Sequence, residues 1–280
     1  MTDALVDALE GIHVVALTTN IPGPVAAARL RAMGARVTKI EPVHGDPLAI
    51  AAPGWYAQIG TGIETLTLNF RERGAHAALD AHLERADVVL TAMRARSLER
   101  IGLQWDALHA RYPQLSMIAL TGEAPPHDDR AGHDLTYQAR AGTIAPPAMP
   151  RALVGDMAAA ERIVAVTLGA LYKRSRTGEG IYANVSIVEC ARDFAAPYAH
   201  GMTHEGGSLG GGLPTYALYP AEDGWVAVAA LEPHFIERLH ALLGVDVHSR
   251  EQLRDAFVRR SAKEWERLAE EHDVPMAAVR

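Results

Sequence analysis

The chain has 280 residues, 49% of them hydrophobic and 22% charged, with a formal net charge of −7. That length exceeds one simple core, so one large or two modest globular domains are expected. The acidic balance argues against general nucleic-acid binding; the start MTDALVDALE lacks the basic and apolar segments of a secretory leader, and no run nears the roughly 18 apolar residues of a membrane span.

These features predict a cytoplasmic protein with neither nucleic acid nor membrane as partner. Cys190 is the single cysteine, so an internal disulfide is excluded. It sits in the apolar run NVSIVECARDF and reads as a small buried hydrophobe, since nothing nearby would stabilise a thiolate.

The first half alternates short apolar runs with helical patterns. HVVAL (13–17) reads as a buried strand, and PVAAARLRAMG (24–34) as a helix with proline near its start and Gly34 closing it. RVTKIE (36–41) and TLTLNF (65–70) are further strands, followed by a helix over 72–86. DVVLTA (87–92) and LSMIALTG (115–122) complete the strand set, separated by helical stretches at SLERIGL and WDALHARYP. This alternation predicts parallel βαβ units: an α/β fold with an open, mostly parallel, Rossmann-like sheet and flanking helices. Ligands of such sheets bind beyond the carboxyl ends of the strands.

From Asp156 a long helix runs through MAAAERIVAVTLGALYKRSR and stops at TGEG. After residue 200 the texture changes, first to the glycine-rich GMTHEGGSLGGGLP and then to TYALYPAEDGWVAVAAL, a hairpin around AEDG. Helical segments PHFIERLHALLG, SREQLRDAFVRR and SAKEWERLAEEH close the chain. The expected domains are therefore 1–200, the larger α/β unit, and 201–280, a smaller α+β unit.

Thirteen histidines are present, but none stands in HxH or HExxH spacing, so no metal site is expected. GTGIET (60–65) lacks the third glycine of a dinucleotide fingerprint, and neither a phosphate-binding GxxxxGK[ST] loop nor a GxSxG elbow occurs. What remains is His133–Asp134 in RAGHDLTYQARAG, Asp156 in LVGDMAAAERI, and Glu232 in ALEPHF. Taken singly, each has an ordinary reading as a helix cap or loop residue.

Read in order, five blocks resemble the family III CoA-transferases, also called the carnitine-dehydratase/bile-acid-inducible family, which includes the α-methylacyl-CoA racemases. They are LTTNIPGPVAAARLRAMGARVTKIEPVHGDP, ADVVLTAMRARSLERIGLQWDAL, RAGHDLTYQARAG, VGDMAAAERIVAVTLGALYKRSRTGEGIYANVSIVE and YALYPAEDGWVAVAALEPHF. The resemblance spans residues 9 to about 279. It implies that Asp156 is catalytic: an acyl-forming nucleophile in transferase members, one of two bases in racemase members. The GHD block at 132–134 and the ALEP block are closer to the racemase branch, which implies His133 as the second base and Glu232 as the residue orienting it.

The implied substrate is an acyl-CoA thioester, with no cofactor beyond the coenzyme A that the substrate carries. A thioester acidifies its α-carbon, and inversion there needs one group to remove a proton and another to deliver one, each contributing about 10²–10⁴-fold. The start of the helix at Asp156 is expected to offer N–H donors to the enolate oxygen. The alternatives are CoA transfer to a carboxylic acid through an aspartyl intermediate, and a degenerate member without catalysis.

Departures from the family pattern are specific. Thr19 stands where an arginine is usual, Ile63 and Glu64 replace a basic block, and Ala159 and Ala160 replace glycines after the catalytic aspartate. Lys39, Arg94 and Arg96 remain as candidate contacts to CoA phosphates. The family implies a linked homodimer, and the tail DVPMAAVR, where relatives continue, implies that this dimer is altered.

Overall fold

A computed structural model describes residues 5–280; the first four residues of the N-terminal stretch read above lie outside them. The chain forms two compact units, Met1–Ala195 and Ala196–Arg280.

The first unit is built on six strands in the order β3-β2-β1-β4-β5-β6, every neighbouring pair parallel. β1 (His13–Leu17) lies at the centre and is wholly buried, as a continuous apolar run between two helical layers should be. α1 (Pro22–Ala32) leads to β2 (Arg36–Glu41), and the short α2 (Pro47–Ala51) and α3 (Pro53–Ile59) lead to the edge strand β3 (Glu64–Thr67). The chain then returns through α4 (Arg73–Leu83) to β4 (Val88–Thr91), which pairs with the other side of β1, Val14 opposite Val88. α5 (Ala95–Arg100) and α6 (Trp105–Arg111) precede β5 (Ser116–Thr121). α7 (Asp134–Ala141) and the 24-residue α8 (Val154–Thr177) intervene before β6 (Tyr182–Ser186) and α9 (Ile187–Phe194).

This strand order has a reversal between β1 and β4, where the loops leaving the two strands run in opposite directions and open a crevice. α8 crosses α1 with Ala158, Ala159, Ala160, Ile163 and Ala170 packed in one core with Val25, Ala26, Ala27 and Leu30. Ala159 and Ala160 are fully buried there. Their small side chains therefore serve helix contact, and neither lines the cleft described below.

The second unit begins with α10 (Ala196–Ala199) and a glycine-rich stretch, Ser208–Gly212, kinked at Gly210 and at the left-handed Gly211 (φ +82°). β7 (Tyr216–Pro220) and β8 (Trp225–Ala229) form the expected hairpin. α11 (Pro233–Leu243), α12 (Arg250–Phe257) and α13 (Ala262–His272) follow, and β9 (Met276–Ala278) adds a third antiparallel strand beside β8. The unit's mostly aliphatic core holds an aromatic cluster: Phe257 meets Trp265 edge to face with centroids 5.3 Å apart, and the indole N–H donates to the Phe257 carbonyl at 2.7 Å.

Candidate active site

The crevice of the first unit is a cleft of about 390 Å³ at the carboxyl ends of β1, β4 and β5. Thr19 and Asn20 come from the turn after β1, Met93 and Arg94 from the turn after β4, and Thr121 and Gly122 from the end of β5. The loop before α7 contributes Arg130, Gly132 and His133, α7 contributes Tyr137, and α8 contributes Asp156.

Asp156 is not a helix cap. The N-cap of α8 is Leu153, and Asp156 occupies the third helical position, only 9% exposed. Burial, reinforced by the nearby Asp134 carboxylate, pushes the Asp156 carboxyl up to about 7. An acid tuned there holds and releases a proton near neutrality.

Asp134, the residue next to His133, is fully engaged. Its Oδ1 accepts the backbone N–H of Asp156 at 2.9 Å, and its Oδ2 accepts from the Gln138 amide. The same Gln138 nitrogen donates to the Ala152 carbonyl at 2.8 Å. Gly155 makes this approach feasible, because a Cβ there would stand 3.1 Å from both Asp134 Oδ1 and Ile187 Cγ2. The expectation that the helix start presents its donors to an enolate is corrected in one respect: the Asp156 amide is already taken by Asp134.

His133 is the N-cap of α7, exposed on the cleft; its backbone N–H donates to the Thr136 hydroxyl at 3.1 Å, which turns back to the His133 carbonyl at 2.8 Å. The cleft thus receives His133 and Asp156 from two helices whose ends are tied through Asp134. Tyr137, one turn beyond His133, lies buried against Gly122 and Gly132, where any Cβ would overlap its ring. Burial, then the Asp156 charge, raises its phenol above the ordinary range, so it stays a neutral donor.

The predicted cations separate. Arg94 lines the cleft as the N-cap of α5, exposed. Arg96 points to solvent with 86% of its side chain exposed and pairs with Asp129 at 3.4 Å. Lys39 is buried, its ammonium 2.6 Å from Asp46 and 2.7 Å from Glu41, so its charge is spent inside the protein. Glu232 belongs to the second unit, where it is the exposed N-cap of α11 and its carbonyl accepts the Phe235 N–H at 3.0 Å.

Two cleft residues escape a reading by motif. Tyr137 had a signal, four positions after His133 and hence on the same helix face. Asn20 had only its place at the end of β1.

Beyond the β1–β4 reversal is where α/β enzymes of this strand order hold their ligands, and this cleft carries acid–base groups there. The chain belongs to CoA-transferase family III, a family of enzymes, whose model matches residues 9–280. It is 26% identical to the (R)-2-hydroxy-4-methylpentanoate CoA-transferase of Clostridioides difficile, over 97% of this chain and 79% of that protein. It is 28% identical to the human alpha-methylacyl-CoA racemase, over 92% of this chain and 74% of that one. The fold matches the crystal structure of a hypothetical protein, Rv3272, from Mycobacterium tuberculosis, with a TM-score of 0.83 at 23% identity, covering 98% and 84% of the two chains. Among the described residues no helix is long and apolar enough to cross a membrane.

Proposed function

We propose that this chain exchanges the α-proton of a 2-methylacyl-CoA thioester, inverting that carbon, with Asp156 and His133 as the two proton carriers. The observation that carries the reading is an aspartic acid near pH 7 and an imidazole lining one cleft. One of the pair takes the α-proton, and the C–H electrons move into the thioester carbonyl as an enolate. The other then gives its proton to the opposite face, and the electrons return to re-form the carbonyl. The two groups have traded protonation states, which the reverse reaction or solvent restores. Arg94, exposed on the cleft rim, is the cation best placed to meet a CoA phosphate, and Arg96 lies two residues further along the same helix.

The test is incubation of a 2-methylacyl-CoA in deuterated water. Deuterium should enter at the α-carbon, and His133→Ala and Asp156→Asn should each abolish that uptake. Rapid uptake that survives in Asp156→Asn would end the proposal.

A second reading, CoA transfer, is supported by the named activity of the Clostridioides difficile relative. Here the Asp156 carboxylate attacks the thioester carbonyl, forms a mixed anhydride and expels CoA as its thiolate. Hydroxylamine added during turnover would then leave a hydroxamate on Asp156. A protein mass unchanged with every donor and acceptor pair would count against transfer.

A further inference from the structure

The turn after β1 carries a backbone anomaly. Asn20 sits at φ +67°, the left-handed region that glycine adopts without penalty and that, among other residues, asparagine and aspartate enter most readily. Among the described non-glycine residues only Asp273 shares it, and Asp273 terminates α13, where such a conformation is routine. Asn20 instead stands on the cleft between β1 and α1.

The conformation is held from beneath. The Asn20 N–H donates to Asp46 Oδ1 at 2.9 Å, and the same oxygen accepts the Leu48 N–H at 2.9 Å. Asp46 Oδ2 receives Lys39 Nζ at 2.6 Å, and Lys39 also reaches Glu41, which accepts the Tyr56 hydroxyl at 2.8 Å. Lys39, Glu41 and Asp46 are all more than nine-tenths buried. Burying three charges carries a desolvation penalty, and what the network delivers to the cleft is a fixed backbone at Asn20. The carboxamide hydrogen-bonds no described residue, and Asn20 lines the cleft with Asp156, His133 and Arg94.

We propose that Asn20 is a specificity-determining residue whose carboxamide reads an oxygen on the acyl part of the substrate, a hydroxyl or carboxyl near the α-carbon. A carboxamide offers a donor and an acceptor without net charge. A hydroxyl complements both, a carboxyl oxygen complements the donor, and a pure hydrocarbon leaves both unpaired. Strain at a ligand-facing residue, over-determined by its surroundings, is the pattern expected where the side chain has a task. This deepens the proposed function, since it takes the acyl-CoA cleft as its setting.

The competing explanation is that asparagine merely tolerates the turn, and glycine separates the two, because Asn20→Gly relaxes the backbone and deletes the carboxamide. Titration calorimetry would use 2-methylbutanoyl-CoA, 3-hydroxy-2-methylbutanoyl-CoA and 3-carboxy-2-methylpropanoyl-CoA as probes. The wild type should bind at least one oxygenated probe about tenfold tighter than the hydrocarbon, the worth of one hydrogen bond. Asn20→Gly should erase that ratio while raising the melting temperature. Asn20→Asp should keep a preference for the hydroxyl and reverse one for the carboxyl, which tells the two oxygen sources apart. No preference in the wild type, a preference intact in Asn20→Gly, or no binding of any probe overturns the proposal. Calorimetry needs no turnover, so an intact preference without α-proton exchange would sink only the reaction proposed above.

Discussion

Replacing Asp156 by asparagine should change how stability depends on pH, in a direction the structure fixes. In the folded protein this carboxyl titrates at about 7, against 3.8 for an ordinary aspartate. Between those values the folded state holds a proton that the unfolded state has released, so folding takes one up and stability falls as pH rises. The loss begins near the lower value and is complete above the upper one. Three pH units at 1.36 kcal/mol each make the full cost about 4 kcal/mol. Asparagine is nearly isosteric and cannot ionise, so Asp156→Asn lacks this slope. Urea unfolding of both proteins by circular dichroism, from pH 4.5 to 8, gives the stability difference at each pH, and contributions common to both cancel. The variant should gain on the wild type steadily up to about pH 7 and then hold a constant advantage. A difference that stays flat across the range would mean that Asp156 is ionised throughout, and the neutral-acid reading of the cleft would fall.

The remaining expectations follow from the same geometry. If two groups exchange one α-proton, kcat/KM should be bell-shaped in pH with one limb near 7, whereas a nucleophilic Asp156 gives a rise to a plateau above 7; the profile separates the readings. Asp134→Asn should lower the acidity midpoint of Asp156 but leave it well above an ordinary aspartate, because burial is the larger cause; the limb in the pH–rate profile measures this. Asp46→Ala strips the acceptor from Asn20 and Leu48 and unbalances Lys39 and should cost about 3 kcal/mol in denaturant unfolding, while exposed Arg96→Ala should cost under about 0.5 kcal/mol. Cys190, 3% exposed and with its thiol raised by burial, should resist thiol reagents until the protein unfolds.

How much of this was legible depended on periodicity and on distance along the chain. β1, β2, β4 and β5 are short apolar runs set between helical patterns, and their parallel pairing follows from that alternation. β6 was hidden because YANVS joins directly onto the apolar start of α9, and no turn residue divides them. β9 spans three residues, too few for any alternation to show. α2 and α3, of 5 and 7 residues, open on prolines and are too short for a helical apolar stripe to show. In the site, the GHD block pointed to His133 and to Asp134 as a support for its loop, but the partner of Asp134 was unreadable, since that amide lies 22 residues on. Lys39 shows the limit most plainly. A lone lysine at a strand end looks like a phosphate contact, and only the fold reveals two carboxylates around it.

The tie between Asp134 and Asp156 has a consequence for tolerance to change. Together with the Gln138 bond to the Ala152 carbonyl, it staples both feet of the excursion that runs from 143 to 151. Thr143 belongs to the near foot, its hydroxyl donating to Gln138 Oε1 at 3.1 Å, so it is the residues beyond it that can be lengthened or cut with these ties left in place. The length of that segment could change while His133 and Asp156, held at the two helix starts, keep their spacing.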